Sequence, residues 1–233
     1  MELISSRQNS LFKERCKLYQ KKYREKTGFY LIEGIRLVEE AVKAGQVKEV
    51  DTEAPQGIVG VIEQHKLTLS DVKIKNGLVL ILDGLQDPGN LGTIWRTAWA
   101  AGVDALFCLP GTVEPYNSKT IRATMGGVFH VPIVTTTEWT SLRQWCQDEG
   151  FELVAGDLRA EKSHFAVNYT ERVALLIGNE AQGFLTVKLE DVETRVKIPM
   201  QNNAESLNAA VASGILVYEI IRQRTGLSQL ESL

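Results

Sequence analysis

The stretch LVLILDGLQDPGNLGTIWRTAWAAG (residues 78–102) decides the fold class of this chain. Its opening apolar run is typical of a strand in a parallel sheet that is buried on both faces. A Pro-Gly turn follows, in which Gly89 is expected to supply the positive φ of a type II turn. Asn90 is expected to cap the next helix, which is predicted over about 91–101. A strand, a tight turn and a helix in this order predict an α/β fold with a mostly parallel sheet.

The same alternation continues towards the C-terminus. The predicted strands are DALFCLP, VFHVPIV, FELVAGD, ALLIGNE and RVKIPM, and the predicted helices cover about 116–125, 138–149 and 206–224. The preceding part of the chain indicates a smaller α+β unit, with helices over about 10–26 and 36–44 and the strands FYLIEG and GIVGVIEQ. We therefore expect a small domain over 1–75 and an α/β domain over 76–233.

Three loops that follow predicted strands are rich in polar side chains. In open α/β sheets, ligands bind outside the carboxyl ends of the strands, so these loops are the expected functional regions. They are DGLQDPGN (83–90), IGNEAQG (177–183) and KIPMQNNAESLN (197–208). Considered alone, Glu180 in the second loop is either a catalytic carboxylate or a helix-entry residue.

The last predicted helix begins within the third loop. Ser206 or Glu205 is expected to cap it. Apolar residues at helical spacing, among them Val211 and Tyr218, predict a buried face. The small residues of this helix allow the close approach of another helix or of a second subunit.

The charge is unevenly distributed. The chain has a net charge of −3, yet residues 1–48 hold 11 Lys/Arg against 6 Asp/Glu. A basic arm suits a polyanion such as RNA, although the same spacing also fits a solvated helix face.

The cysteines indicate the compartment. Cys16, Cys108 and Cys146 are far apart and odd in number. They fit neither a disulfide framework nor a zinc site, which favours a reducing cytoplasm. No apolar run approaches the roughly 18 residues that a membrane span needs.

Taken together, four segments resemble the SpoU/TrmH family of RNA ribose 2′-O-methyltransferases within the SPOUT superfamily. They are DPGNLGTIWRTAWAAG, RATMGGVFHVPI, LLIGNEAQG and IPMQNNAESLNAAVASGILVYE, and they fit in order and spacing over about 78–224. The N-terminal segment is similar to the RNA-binding extension of many members. One departure is that a stretch usually present after Val50 is missing, so the extension is expected to be shortened.

The resemblance implies a deep C-terminal trefoil knot, a homodimer whose active site is completed across the interface, and S-adenosylmethionine as the cofactor. The implied cofactor-binding residues are Leu176, Gly178, Ile198, Met200, Ser206, Leu207 and Asn208. The implied catalytic residues are Arg96, Asn90, Glu180, Ser206 and Asn208. The expected RNA contacts are Arg7, Lys13, Arg15, Lys21, Lys22, Arg24 and Arg122.

Methyl transfer also needs an acceptor for the proton of the ribose hydroxyl. No signature loop contains a histidine, and His130 is the nearest candidate for a base. The resemblance gives the central role to Arg96, but an arginine side chain keeps its proton at neutral pH. We therefore expect Arg96 to bind a neighbouring phosphate while water takes the proton, with transient deprotonation beside the sulfonium as the alternative. No metal is expected, because the sulfonium carries its own leaving-group activation.

The expected function is methylation of a ribose 2′-hydroxyl in RNA. The extension favours ribosomal RNA over transfer RNA. Two other classes remain open, namely a catalytically idle RNA-binding protein on the same scaffold and a SPOUT enzyme that methylates a base nitrogen. The joint presence of the five implied catalytic residues argues against the idle protein.

Overall fold

The computed structural model describes residues 10–53, 57–135, 138–169, 171–202 and 205–230. The predicted RNA contact Arg7 lies outside the described residues. In the part of the chain that the structure describes, no helix has the length and hydrophobicity of a membrane span.

The N-terminal part forms a small antiparallel sheet flanked by helices. Its elements are α1 (Ser10–Cys16), α2 (Lys21–Thr27), β1 (Phe29–Glu33), α3 (Ile35–Lys43), β2 (Val47–Glu53) and β3 (Gly57–Glu63). The strand order is β1-β3-β2, and β3 pairs antiparallel with both neighbours. Strand β2 was not expected from the sequence, because VKEVDTE is largely polar.

The single helix predicted over 10–26 is interrupted at Gln20, which has an extended backbone (φ −93°, ψ 131°). The cause is Arg24, which is only 3% exposed. Its guanidinium donates to the carbonyls of Leu18 and Tyr19, each at 2.7 Å, which a continuous helix would use for its own hydrogen bonds. The same guanidinium also forms an ion pair with Glu114 of the α/β part. Arg24 therefore joins the two parts of the chain, and the prediction that it contacts RNA is wrong.

The rest of the chain forms a second, parallel sheet. Its elements are β4 (Leu78–Leu82), α4 (Pro88–Ala100), β5 (Ala105–Cys108), α5 (Ser118–Thr124), β6 (Ile133–Thr135), α6 (Trp139–Asp148), β7 (Glu152–Gly156), β8 (Lys162–Ser163), β9 (Val173–Ile177), β10 (Thr194–Lys197) and α7 (Ala209–Leu230). Among the described residues this sheet has seven strands in the order β6-β5-β4-β9-β7-β10-β8, and every neighbouring pair is parallel. The predicted α/β fold with a mostly parallel sheet is confirmed.

Strands β4 and β9 lie side by side near the middle of this sheet and are buried along their whole length. Leu80 on one face of β4 belongs to the core that α4 and α7 cover, whereas Ile81 on the other face belongs to the core that α6 covers. Alternate residues of a strand point to opposite faces, so a sheet covered on both sides needs an unbroken apolar strand. The polar loops after β4, β9 and β10 therefore leave the same edge of one rigid sheet.

Helix α4 begins earlier than expected, at Pro88, with Asp87 as its N-cap. The Asp87 carboxylate accepts a hydrogen bond from the backbone N–H of Asn90 at 2.9 Å. Pro88 suits the first helical position because its fixed φ is helical and it has no N–H to satisfy. The type II turn and the capping role expected of Gly89 and Asn90 are wrong, since both residues lie within the helix.

Arg224 fastens the far end of α7 to the opposite edge of the sheet. Its guanidinium donates to the carbonyls of Asn76 and Tyr169, each at 3.0 Å, and of Gly77 at 3.2 Å. Burial lowers the pKa of Arg224 from its ordinary value. This side chain therefore holds the last helix against the amino ends of the strands.

We expect Arg224→Ala to lower the free energy of unfolding by about 1.5–3 kcal/mol, the usual contribution of hydrogen bonds made by a charged group. Urea denaturation followed by circular dichroism measures the loss. The matched control is Arg222→Ala in the same helix, because Arg222 pairs with Glu219 one turn away and should cost much less. Equal losses in the two variants would contradict the assigned role of Arg224.

Candidate active site

A cavity of about 330 Å³ lies at the carboxyl ends of β7, β9 and β10 and against the start of α7. This volume falls within the roughly 300–1,000 Å³ that is usual for small-molecule sites. The predicted cofactor residues that line it are Gly178, Ile198, Met200, Ser206 and Leu207. Leu176 is buried inside β9, one residue before the wall begins, and Asn208 lies beside the cavity rather than in its lining.

The turn after β9 supplies one wall through its main chain. Asn179 and Gly183 exchange two backbone hydrogen bonds of 2.7 and 3.0 Å, and the Asn179 side chain accepts the N–H groups of Ala181 and Gln182. A Cβ atom on Gly178 would stand 2.8 Å from both the carbonyl carbon and the oxygen of Gly183. Position 178 therefore has to be glycine for the turn to close.

A chain of polar side chains joins the three loops at the edge of this cavity. Asn208 Nδ2 donates to Asn90 Oδ1 at 2.9 Å, and Asn90 Nδ2 donates to Glu180 Oε1 at 2.8 Å. These residues are separated by 118 and 90 positions in the sequence. The structure thus brings together three of the five predicted catalytic residues.

The donor and acceptor directions in this series of hydrogen bonds are fixed by the residues at its two ends, Asn208 and Glu180. Asn208 caps α7, because its Oδ1 accepts the N–H groups of Ala210 and Val211 at 2.9 and 3.3 Å. Its Nδ2 is left to donate towards Asn90, whose own Nδ2 then meets a carboxylate that only accepts. Neither Ser206 nor Glu205 caps the helix, which corrects that expectation.

Arg96 and Ser206 lie outside this chain of hydrogen bonds. Arg96 is exposed on α4, and no hydrogen bond or ion pair joins its guanidinium to any residue that the structure describes. Ser206 is also exposed, and it lines the cavity. Both side chains are therefore free to meet a ligand.

Asp87 holds the start of α4 in place. Hydrogen bonds from the backbone N–H of Asn90 and from Lys119 lower the pKa of its carboxyl group, so this cap remains an anion at neutral pH. The cap fixes the backbone of Asn90 and hence the origin of its side chain.

One wall of the cavity, formed by 156–159, was not expected from the sequence. It contains Asp157, which is 8% exposed and accepts a hydrogen bond from the N–H of Arg159 at 3.0 Å. The signal that points to it is its place at the carboxyl end of the predicted strand FELVAGD, the end from which the other polar loops leave their strands.

The predicted RNA contacts are in differing environments. Lys13, Lys21 and Lys22 are exposed on α1 and α2. Arg15 is partly buried and donates twice to Glu49 at 2.9 Å. These lysines are the better placed of the basic side chains to meet a polyanion.

Two further predicted residues contact the N-terminal part. Arg122 lies 3.6 Å from Glu33 of β1 and remains largely exposed. His130 stacks on Trp99 with ring centroids 4.3 Å apart, and its Nε2 is 2.8 Å from Glu40 of α3. His130 is therefore engaged between the two parts of the chain, which does not support its candidacy as the base.

No group of three or more potential metal-ligating side chains occurs within the described ranges.

The family model described as the SpoU rRNA Methylase family matches residues 77–218. A second model, the MRM3-like substrate binding domain, matches residues 9–51.

The curated relatives include two ribosomal RNA methyltransferases. The 23S rRNA (guanosine(2553)-2′-O)-methyltransferase RlmP of Bacillus subtilis (strain 168) is 36% identical over 94% of this chain and 99% of its own length. The 23S rRNA (guanosine-2′-O-)-methyltransferase RlmB of Xanthomonas axonopodis pv. citri (strain 306) is 32% identical over 81% of this chain and 82% of its own.

Similar solved structures include two with cofactor. The AdoMet-bound rRNA methyltransferase from Sinorhizobium meliloti has a TM-score of 0.86 and 31% identity, covering 95% of this chain and 97% of that one. The SpoU methyltransferase AviRb from Streptomyces viridochromogenes, in complex with AdoMet, has a TM-score of 0.85 and 26% identity, covering 92% and 98%.

Proposed function

The chain belongs to the SpoU rRNA methylase family, and from this premise we propose how its site binds cofactor and substrate. It is an S-adenosylmethionine-dependent methyltransferase that acts on ribose 2′-hydroxyl groups of RNA, and ribosomal RNA is its substrate class. The observation that carries the assignment of the site is the Asn208–Asn90–Glu180 chain at the edge of a 330 Å³ cavity.

The cavity fits S-adenosylmethionine. Its walls combine the main chain of the 178–183 turn with the apolar side chains of Ile198, Leu207 and Leu216, which suits the adenosine part of the cofactor. Bound there, the cofactor supplies a methyl group on a sulfonium. The proposed cofactor residues are Gly178, Ile198, Met200, Ser206 and Leu207, and Asn208 takes part by fixing the start of α7.

The polar chain orients the substrate. Glu180 is exposed, and its Oε1 accepts the hydrogen bond from Asn90. Its Oε2 is left to accept a hydrogen bond from the ribose. Arg96 binds the neighbouring phosphate with its planar fork of donors. Fixing the hydroxyl in this way supplies a large part of the barrier lowering, and water takes the proton.

The regions outside the cavity bind RNA and form the subunit interface. Residues 1–75 bind RNA through Lys13, Lys21 and Lys22, and residues 76–233 carry out methylation. Val211 and Tyr218 on α7, predicted to be buried, are each 51% exposed, and this face suits a second subunit in a homodimer. The trefoil knot and the cytoplasmic location remain predictions.

The first experiment is a calorimetric titration of the purified protein with S-adenosylmethionine, followed by methyl transfer to ribosomal RNA with radiolabelled cofactor. We expect saturable binding and a product that resists alkaline hydrolysis at the modified linkage. Absence of binding, or a product that is hydrolysed normally, would contradict the proposal. Equal transfer to transfer RNA would contradict the substrate class.

Replacing Asn208 separates its two roles. Asn208→Ser keeps a side chain that caps helices, but its shorter hydroxyl should no longer reach Asn90 Oδ1, so we expect stability to be preserved while this bond is lost. Methyl transfer should fall roughly tenfold, the equivalent of one hydrogen bond of about 1.4 kcal/mol. The control is Asn208→Ala, which should lose stability as well as activity. Wild-type rates in the serine variant would show that the bond to Asn90 is not needed.

A further inference from the structure

Asp83 follows β4 directly and is fully buried, with an exposed fraction of 0%. Its Oδ2 accepts hydrogen bonds from three successive backbone N–H groups, those of Leu185, Thr186 and Val187, at 2.8, 2.8 and 2.9 Å. A buried carboxylate is costly unless it is hydrogen-bonded. Among the described residues Oδ1 of Asp83 has no hydrogen-bond partner, so the three bonds to Oδ2 are the ones that hold the group. Asp83 is therefore held in the interior by the segment that it binds.

The next residue holds the other end of the same segment. Asn179 Nδ2 donates to the carbonyl of Gly84 at 2.7 Å. The pair 83–84 thus binds the chain on both sides of the 180–184 stretch, which lines the cavity. Both ends of the turn that forms this wall are therefore hydrogen-bonded to residues 83–84, directly after β4.

The residues that follow 83–84 in the sequence form the proposed substrate side of the site. Three residues after Gly84 comes Asp87, the cap of α4, and α4 carries Asn90 and Arg96. A displacement of the 180–184 wall relative to β4 would move Glu180 away from Asn90. The anchoring at 83–84 therefore sets the position of the cofactor wall relative to the substrate helix.

A second aspartate makes the same kind of contact far from the site. Asp104 is 8% exposed and accepts the N–H groups of Asn76, Gly77 and Leu78 at 3.0, 2.7 and 3.4 Å. These residues lie at the amino end of β4, whereas the cavity lies at the carboxyl ends of the strands. Both carboxylates accept three successive backbone N–H groups. They differ in which end of the sheet they hold and in that Asp104 also interacts electrostatically with Arg224.

We propose that Asp83 is a positioning residue for cofactor binding, which acts by holding the 180–184 wall in its binding-competent form. This inference rests on the proposed function. Hydrogen bonds to an ionised acceptor are about twice as strong as those to a neutral one. Removing the charge of Asp83 should therefore lower the fraction of molecules whose 180–184 wall is in the binding-competent form. The apparent Kd for S-adenosylmethionine rises in inverse proportion to that fraction.

The test compares Asp83→Asn with the matched control Asp104→Asn. Chemical denaturation gives the stability of each variant, and calorimetry gives the Kd for S-adenosylmethionine. We expect both variants to lose stability, while only Asp83→Asn raises the Kd, by about tenfold. At saturating cofactor its kcat should return close to the wild-type value, because bound cofactor restores the competent wall.

Each other outcome overturns the inference. An unchanged Kd in Asp83→Asn would do so, as would equal weakening in both variants, which would mark Asp83 as a general stabiliser. Failure of the wild-type protein to bind the cofactor would overturn the proposed function and this inference with it. If Asp83→Asn does not fold, Asp83→Ser keeps a hydroxyl acceptor without the carboxylate, and the same rise in Kd is required of it.

Discussion

Gly178→Ala is expected to abolish measurable binding of S-adenosylmethionine and, with it, methyl transfer. The added Cβ atom would stand 2.8 Å from the carbonyl carbon and oxygen of Gly183, and these are main-chain atoms that no side-chain rotation can move away. The turn that pairs Asn179 with Gly183 would have to open, and it forms a wall of the cofactor cavity. Calorimetric titration of the variant measures the loss, which we expect to exceed about 100-fold in Kd, more than about 2.7 kcal/mol of binding free energy.

The control for this substitution is Gly150→Ala. Gly150 lies in the turn between α6 and β7 and has a φ of +72°, and a Cβ atom added there would meet no other atom within 4 Å. Its replacement carries the strain of an alanine at positive φ, about 1–2 kcal/mol, without any clash near the site. We expect it to lower stability and to bind cofactor as the wild type does. Tight cofactor binding by Gly178→Ala would show that the turn is not part of the site.

Arg96→Ala is expected to lower kcat/KM for RNA by at least about 100-fold, because misplacement of the reacting hydroxyl alone can cost that much. The guanidinium is exposed on α4, the helix that also carries Asn90, and it is not engaged with the described part of the protein. Cofactor binding should be unaffected, since Arg96 does not line the cavity. Methyl transfer under single-turnover conditions, with calorimetry alongside, separates the two effects.

Arg96→Lys distinguishes the two roles considered for this residue. If Arg96 positions a phosphate, lysine keeps the charge but loses the bidentate fork, so activity should be intermediate and the shape of the pH profile unchanged. If Arg96 acts as the base, the lysine variant should gain activity as the pH rises towards the titration of a lysine. Arg172→Ala serves as a control at the opposite edge of the sheet, where Arg172 pairs with Glu149. Loss of activity in that variant would point to a general charge effect.

The parallel sheet could be predicted because burial on both faces leaves a direct mark on the sequence. Strands β4 and β9 are apolar along their whole length, and the loops after them are polar. Strand β2 leaves no such mark, because its residues VKEVDTE are largely polar and it is held by its main-chain pairing with β3. The composition of an edge strand is compatible with a loop as well as with a strand.

The helix starts were less predictable, because several residues of each loop are good caps. In DPGN both Asp87 and Asn90 can cap a helix, and the fixed φ of Pro88 decides in favour of Asp87. At the last helix Asn208 is the cap, where Ser206 or Glu205 was expected. The local sequence contains several residues that can cap each helix, and tertiary contacts determine which of them does.

The three loops could be located from the strand ends in the sequence, but the roles of the individual site residues came only through the family resemblance. The bonds that join Asn90 to Glu180 and Asn208 span 90 and 118 residues, and no local periodicity encodes such pairs. The same limit explains the error at Arg24, whose place in a basic run indicates a solvated face. Its partner Glu114 is 90 residues away and draws it into the interior.

The double use of Asn208 has a consequence for the order in which the protein matures. The amide can point its Nδ2 at Asn90 because the first turn of α7 occupies its Oδ1. A chain still emerging from the ribosome, or one truncated before α7, has no such turn. The hydrogen-bonded set Asn208–Asn90–Glu180 therefore forms only after α7 has been synthesised, and we expect chains that stop before α7 to be inactive towards the ribosomal RNA around them.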